Sequence, residues 1–138
     1  MQIDRIGAHA VDRVLAAGGL FDETPQREWT EDFLARPGHH LLMARVEDVD
    51  VGFVSGIEIT HPDKGVEMLL YELGVDEEYR RRGIGRALTL ALADLARELG
   101  CRGMWVPTEP DNEPAIATYR SAGAEGPDQA VILSWDFT

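Results

Sequence analysis

The chain has 138 residues, 44% of them hydrophobic and 28% charged, and it carries a formal net charge of −12. This length fits one domain, residues 1–138, and the acidity argues against nucleic acid or anionic membranes as partners, because both require a basic protein face. No apolar run is long enough to cross a bilayer, and the lone cysteine, Cys101, excludes an internal disulfide and favours a cytoplasmic location.

Apolar spacing in the first half of the chain predicts one short strand, two helices and a three-stranded antiparallel meander. The predicted strands are residues 2–6, 40–46, 51–59 and 66–75. The predicted helices are residues 10–17 and a second helix that begins at Thr24-Pro25 and ends at Arg36-Pro37-Gly38.

The second half of the chain alternates helices with strands. Helices over 84–99 and 114–123 enclose a buried strand at 103–106, and a final strand covers 130–137. This order predicts an α/β fold with a mixed, mostly antiparallel central sheet flanked by helices on both faces.

A turn rich in glycine and arginine, Arg80-Arg81-Arg82-Gly83-Ile84-Gly85, joins the fourth predicted strand to the long helix. Glycine lets the backbone turn tightly, so several N–H groups can point at one anion at the helix start, and Arg86 adds a fourth positive charge. A pyrophosphate is the simplest ligand for such a turn. The turn lacks the lysine of a Walker loop, and position 88 is leucine where a dinucleotide-binding fingerprint needs a third glycine.

This turn resembles the acetyl-coenzyme A signature of the GNAT N-acetyltransferase superfamily, which is arginine or glutamine, two residues, glycine, one residue, then glycine or alanine. Residues 112–123 resemble a helix of the same family through the spacing of Asn112, Ala115, Tyr119 and Gly123. Within the superfamily, Tyr71-Glu72-Leu73 is similar to the Tyr-Asp-Leu of type I aminoglycoside 3-N-acetyltransferases. The resemblance implies an enzyme that uses acetyl-coenzyme A as cosubstrate.

The resemblance also implies which residues bind that cosubstrate. Backbone N–H groups and arginine side chains of the turn would hold the phosphates, and the strand before the turn would pair with the pantetheine arm. The predicted cofactor-binding residues are Leu73, Gly74, Val75, Arg80, Arg81, Arg82, Gly83, Ile84, Gly85, Arg86 and Asn112. Two of them have simpler explanations, since Gly74 could serve close packing alone and Asn112 could only cap the following helix.

Acetyl transfer to an amine needs a base for the amine and an acid for the departing thiolate. Glu72 interrupts an apolar strand beside the expected carbonyl site, where partial burial would raise its pKa, so it is the candidate base. It could instead bind a cationic substrate or pair with an arginine. Tyr119 matches the family tyrosine that protonates the thiolate, and the alternative is a core aromatic residue.

The candidate acceptor-binding residues come from other segments. Trp29 lies in the first half and could line the cleft, and Glu109 and Asp111 follow a strand end, where open α/β sheets bind ligands. Alternatively, these acids are only solvated, and Trp29, Trp105 and Trp135 are core or interface residues. The histidines show no metal-ligand spacing with Cys101, so we predict no metal site.

Three functions are compatible with these residues. The first is direct acetylation of a small-molecule amine, with an aminoglycoside-like amino sugar as acceptor, which the acidity favours. The second is acetylation of a protein lysine or N-terminal amine, and the third is a non-catalytic acyl-coenzyme A sensor. We expect a homodimer, paired through Ala130-Val131-Ile132-Leu133 of the final predicted strand.

Overall fold

The computed structural model describes all 138 residues and contains one five-stranded sheet with four α-helices. The strands are β1 (Gln2–Arg5), β2 (His39–Val46), β3 (Val49–His61), β4 (Gly65–Val75) and β5 (Met104–Trp105). The helices are α1 (Val11–Ala16), α2 (Arg27–Ala35), α3 (Ile84–Glu98) and α4 (Glu113–Ser121). Short 3₁₀ turns at Gly18–Leu20 and Glu77–Tyr79 follow α1 and β4.

The sheet has the order β1-β2-β3-β4-β5 and is antiparallel except for the parallel pair β4–β5. The turn between β2 and β3 consists of Glu47 and Asp48, whose φ angles of 49° and 65° give the twist that suits a tight hairpin. β5 pairs with β4 only at Met104 and Trp105, so the longer β4 continues beyond its partner. The predicted mixed, mostly antiparallel sheet is confirmed.

Helices cover both faces of the sheet, and each face has its own core. The first core joins the sheet to α3 and α4 and includes Leu42, Ala44, Leu70, Leu88, Leu92 and Tyr119. The second lies on the α1 side and includes Val14, Leu41, Met43 and Phe53. Successive β2 residues therefore serve opposite cores, which explains why this strand is a continuous apolar run.

A partly buried ion-pair network fixes α1 to the sheet. Arg13 contacts Asp50 at 2.8 Å and Asp4 at 2.9 Å, and Arg45 contacts Asp50 at 3.4 Å. Burial raises the pKa of Asp50, but the hydrogen bonds from Arg13 and Arg45 outweigh it and bring the pKa below its ordinary value. Because the side chains of Arg13 and Asp50 are only 20% and 14% exposed, this pair is less screened by water than a surface pair.

The second helix begins later than Thr24-Pro25 predicts. α2 starts at Arg27, and Gln26 is its extended N-cap residue. The carbonyl oxygen of Gln26 accepts the backbone N–H of Thr30 at 2.9 Å and the Thr30 hydroxyl at 2.8 Å. These two bonds define the first turn of the helix, so Pro25 lies outside it.

The predicted final strand over 130–137 is wrong for the chain by itself. Residues 124–138 form no helix or strand, and no backbone hydrogen bond joins residues 127–138 to the rest of the molecule. A strand needs a neighbouring strand, and this segment has none within its own chain. The tryptophans are not core residues either, because Trp29, Trp105 and Trp135 are 72%, 46% and 76% exposed.

Candidate active site

The amino terminus of α3 presents a run of free backbone donors. Gly83 is the N-cap residue with a φ of 81°, and Arg81 also has a positive φ, 64°. The N–H groups of residues 81–86 make no hydrogen bond within the chain, whereas the N–H of Ala87 binds the Gly83 carbonyl at 3.0 Å. Free N–H groups at the positive end of a helix dipole form an anion-binding site.

The arginines of this turn keep their charge available. Arg80 and Arg82 donate to the carbonyl oxygens of Val75 and Glu78, both at 3.3 Å, and Arg82 also lies 4.8 Å from the centre of the Tyr79 ring. None of the arginines at 80, 81, 82 and 86 forms an ion pair, although the chain has 25 acidic residues. Unpaired guanidinium groups beside free N–H groups are suited to phosphate.

Two contacts bring α4 to the same place. Arg86 donates from its Nε to the carbonyl oxygen of Ser121 at 3.0 Å, which links the first turn of α3 to the end of α4. A Cβ at Gly85 would lie 3.3 Å from Thr118 of α4 and 3.6 Å from Leu73 of β4. The start of α3, the middle of α4 and the end of β4 therefore meet at Gly85, where an added Cβ would contact Thr118 tightly.

A β-bulge reverses the backbone orientation of β4. The N–H of Met68 binds a carbonyl on the β5 side at 2.9 Å, whereas the N–H of Asp76 binds a β3 carbonyl at 2.8 Å. Residues an even number apart point the same way in a regular strand, so one extra residue lies between these two. It is Tyr71, because Leu70 and Glu72 pair with consecutive residues of β3.

Ser55 completes this bulge. Its side chain is buried, and its hydroxyl accepts the N–H of Glu72 at 3.2 Å. Beyond the bulge, strand alternation turns the N–H and C=O groups of Leu73 and Val75 away from β3, toward the edge where β5 no longer pairs. This unpaired edge can bind an extended ligand through its backbone. Sequence reasoning missed Ser55, because nothing in a strand sequence marks the partner of a bulge.

The loop after α1 packs over the end of β4. A Cβ at Gly74 would collide with the carbonyl oxygen of Leu20 and would lie 2.6 Å from the Phe53 ring. Gly74 therefore permits close packing, which is the alternative explanation that the sequence allowed. The same loop reaches the candidate base, since the N–H of Asp22 donates to Oε2 of Glu72 at 2.9 Å.

Glu72 lies in surroundings that favour its protonated form. Partial burial is the main cause that raises the pKa of Glu72, and the charges of Asp22 and Glu23 raise it further, while the N–H of Asp22 lowers it. The net effect is a raised pKa, as expected for a general base that works near neutral pH. Glu72 forms no ion pair with an arginine, so that alternative is wrong for this structure.

Tyr119 is both a core residue and a free hydroxyl donor. The residue is only 9% exposed and belongs to the first core, and burial raises the pKa of its phenol. The hydroxyl makes no hydrogen bond within the chain and is not among the buried polar atoms that lack a partner. The phenol therefore reaches solvent-accessible space in its protonated form and can donate a proton there.

The remaining predicted residues lie at the surface. Asn112 caps α4, because its Oδ1 accepts the N–H of Ala115 at 3.3 Å. Glu109 and Asp111 are exposed in the turn before α4, and Trp29 is exposed in the first turn of α2. The structure shows no side-chain hydrogen bond or ion pair for the last three, so their role in acceptor binding stays a prediction.

The structure brings together no group of three or more histidine, cysteine, aspartate or glutamate side chains that could hold a metal ion. Burial raises the pKa of the Cys101 thiol, which disfavours the reactive thiolate. No helix combines the length and the apolar character that a membrane crossing requires.

Residues 10–124 match the model of the Acetyltransferase (GNAT) family, which is most of the chain. The chain therefore belongs to the GNAT acetyltransferase family, as the glycine-rich turn and the Asn112–Gly123 helix predict. The matched region includes both of these motifs and every helix and strand except β1.

Curated relatives of the chain are N-acetyltransferases by name. It is 29% identical to N-acetyltransferase 8 of Homo sapiens over 113 residues, which is 81% of this chain and 50% of that protein. It is 37% identical to N-alpha-acetyltransferase RimI of Mycobacterium tuberculosis over 90 residues, 65% of this chain and 54% of that protein. The chain thus spans about half the length of these relatives.

Solved structures share the fold over nearly the whole chain. An aminoglycoside acetyltransferase from an uncultured soil metagenomic sample, in complex with sisomicin, has a TM-score of 0.87 at 19% identity, covering 99% of this chain and 96% of that one. Aminoglycoside N-acetyltransferase AAC(6′)-Iy in complex with CoA has a TM-score of 0.82 at 18% identity, covering 97% and 93%. The latter neighbour is of the 6′ type, whereas Tyr71-Glu72-Leu73 resembles the 3-N type; both belong to the same superfamily.

Proposed function

We propose that this chain is an N-acetyltransferase that moves the acetyl group of acetyl-coenzyme A to a primary amine by direct attack. The observation that supports this most is the meeting of two ligand-binding features at Gly85. One is the arc of free N–H groups at residues 81–86, and the other is the unpaired edge of β4. The arc suits a pyrophosphate, and the edge suits an extended arm that contains amide groups.

In this proposal the bound acetyl-coenzyme A supplies an activated acetyl thioester. The N–H groups of the turn and the arginines beside it hold the phosphates. The outward N–H and C=O groups of Leu73 and the N–H of Val75 hold the arm, since the Val75 carbonyl already accepts from Arg80. Ile84 contributes its backbone N–H, since its side chain is buried in the first core, and Asn112 contributes by fixing the start of α4.

Glu72 and Tyr119 carry the two proton transfers. Glu72 accepts a proton from the attacking amine, directly or through a water, while the new N–C bond forms and the C–S bond breaks. Tyr119 donates its hydroxyl proton to the departing sulfur, because a phenol and a thiol have similar pKa values. Each turnover leaves Glu72 protonated and Tyr119 deprotonated, and proton exchange with water restores both residues.

We propose a cationic, aminoglycoside-like amino sugar as the acceptor. The charges of Asp22 and Glu23 act on the carboxyl group of Glu72, so this acidic group attracts a cation to the base. The overall charge of −12 and the fold shared with aminoglycoside acetyltransferases also support this acceptor. Trp29, Glu109 and Asp111 are the candidate residues for its outer contacts.

A protein amine is the second candidate acceptor, favoured by the sequence similarity to RimI. The acids that would attract an amino sugar would equally attract a basic peptide or its N-terminal amine. A non-catalytic acyl-coenzyme A sensor has less support, because the candidate base Glu72 and the candidate acid Tyr119 are both present.

An assay of thiol release tests this proposal. The protein is mixed with acetyl-coenzyme A and, in turn, with aminoglycosides, spermidine, a lysine peptide and a peptide with an N-terminal alanine. We expect turnover with the aminoglycosides and little with the peptides. The reverse order would move the acceptor to a protein amine, binding without turnover would favour the sensor, and absence of acetyl-coenzyme A binding would refute the donor site.

We propose, further, that the protein is a cytoplasmic homodimer. The chain has only one cysteine and therefore no disulfide that would call for an oxidising compartment. The exposed apolar side chains of residues 130–137 support association with a second copy.

A further inference from the structure

Ser55 is a buried polar residue among apolar neighbours on the α1 side of the sheet. Phe53, two residues before it on β3, belongs to the second core, and so does Leu41, which lies opposite Ser55 on β2. Ser55 is only 7% exposed, and its hydroxyl makes one hydrogen bond, with the N–H of Glu72 on β4. A polar group in such surroundings needs a hydrogen-bond partner, so this bond is the reason that a serine fits here.

The apolar pattern of β4 leaves one choice open at the bulge. Leu70 and Leu73 both pack in the first core, and their partners on β3 leave only Ser55 between them. Two residues of β4, Tyr71 and Glu72, therefore share one position opposite Ser55. Packing of the two leucines fixes where the bulge begins and ends, but it does not fix which residue between them is the extra one.

In the structure Glu72 takes the paired position and Tyr71 is the extra residue. Residues directly opposite each other point to the same side of a sheet, so the Glu72 side chain lies on the α1 side with that of Ser55. There its Oε2 accepts the N–H of Asp22 at 2.9 Å, whereas Tyr71 is 65% exposed. If Tyr71 were the paired residue, Glu72 would occupy the exposed bulge position and leave these surroundings.

We propose that Ser55 is a positioning residue whose hydroxyl makes Glu72, rather than Tyr71, the paired residue and so holds its carboxyl group where the reacting amine must come. This inference rests on the proposed function, because it requires Glu72 to be the base. The donor site does not depend on the same choice, since Leu73 is held by the first core in both arrangements. The Ser55 hydroxyl should therefore affect acetyl transfer and leave acetyl-coenzyme A binding unchanged.

Two substitutions at Ser55 and one control test this separation. Ser55→Ala removes the hydroxyl, and Ser55→Thr keeps it on a side chain that suits a strand. We expect kcat to fall about 10–100-fold in Ser55→Ala, with an unchanged Kd for acetyl-coenzyme A, and to recover most of that loss in Ser55→Thr. The control is Thr30→Val, which removes another buried hydroxyl, in α2. It should lower stability in urea and keep the wild-type kcat.

Amide hydrogen exchange measured by NMR tests the bulge without any turnover. The N–H of Glu72 should exchange at least about tenfold faster in Ser55→Ala than in the wild type, because it loses its acceptor. The N–H of Asp76 is the internal control. It binds the Val51 carbonyl at 2.8 Å just past the end of β4, and its exchange rate should stay unchanged.

The possible failures give different results. Wild-type kcat or wild-type exchange of the Glu72 amide in Ser55→Ala would overturn the inference, as would equal losses of kcat in Ser55→Ala and Ser55→Thr. Weaker acetyl-coenzyme A binding in Ser55→Ala would also overturn it, since that result indicates a general loss of structure. A wild type that neither binds acetyl-coenzyme A nor acetylates an amine would refute the proposed function, and the catalytic consequence of Ser55 with it. Exchange of the Glu72 amide would then still report whether Ser55 fixes the bulge.

Discussion

Replacing Gly83 by valine tests the donor site most sharply, because the chain contains a matched control. Gly83 precedes α3 with a φ of +81° and no atom within 4 Å of an added Cβ. Gly100 follows the same helix with the same φ of +81° and equally open surroundings. Gly83→Val and Gly100→Val should therefore cost similar stability, about 1–2 kcal/mol each for the left-handed backbone conformation, and neither should create a clash.

Only one of these two variants should lose acetyl-coenzyme A. At Gly83 the strained residue pulls the neighbouring N–H groups out of their common direction and adds bulk where a ligand must approach closely. We expect isothermal titration calorimetry to show at least about tenfold weaker binding for Gly83→Val and unchanged binding for Gly100→Val. The two unfolding midpoints in urea should shift alike. Equal affinity in both variants would refute the assignment of the turn as the pyrophosphate site.

Three further substitutions test the other parts of the site and of the fold. Glu72→Gln should lower turnover by about 10²–10⁴-fold. It should also remove the rise in kcat/KM that we expect of the wild type as pH increases through the raised pKa of Glu72, which a pH–rate profile measures; a variant profile that keeps this rise would exclude Glu72 as the base. Tyr119→Phe should lower kcat by roughly 10–100-fold at neutral pH without changing the Kd of acetyl-coenzyme A, and an unchanged kcat would leave Tyr119 with its core role alone. Asp50→Asn should destabilise the fold at pH 7 by roughly 1–3 kcal/mol, since it removes the charged partner of Arg13. The pKa of Asp50 is lowered in the folded state, so its stabilisation is present above the ordinary carboxyl pKa and is lost as pH falls through the lowered value. Urea unfolding of the variant should therefore depend less on pH in that acidic window, and the exposed Asp63→Asn should match the wild type at every pH.

Local sequence patterns predicted the helices and the first four strands because each pattern repeats over a whole element. α3 and β4 begin and end within one residue of their predicted bounds, since Gly83 and Gly100 are strong signals for helix ends. The bulge at Tyr71 was beyond such reasoning. It depends on the hydroxyl of Ser55, which pairs with Glu72 from another strand, and no local pattern records that contact.

The alternating pattern of residues 130–137 predicts a strand, and this prediction is wrong because these residues form no strand in the structure. Periodicity states which face of a strand is apolar, and it does not state which sheet or which molecule covers that face. The same limit applies to Gly74, where a strand-interior glycine indicates close approach but does not tell a ligand from a protein atom. The structure shows the carbonyl oxygen of Leu20 and the ring of Phe53 at that position.

The unpaired arginines before α3 have a consequence for the speed of association. An anionic donor approaching this molecule meets a net charge of −12 at long range and the positive turn only at close range. Dissolved salt screens charges beyond a Debye length of roughly 10 Å at 0.1 M, so it weakens the distant repulsion before it weakens the nearby attraction. Moderate salt should thus speed the arrival of acetyl-coenzyme A and slow that of a cationic acceptor. The charge distribution of this chain therefore gives the two substrates opposite responses to salt.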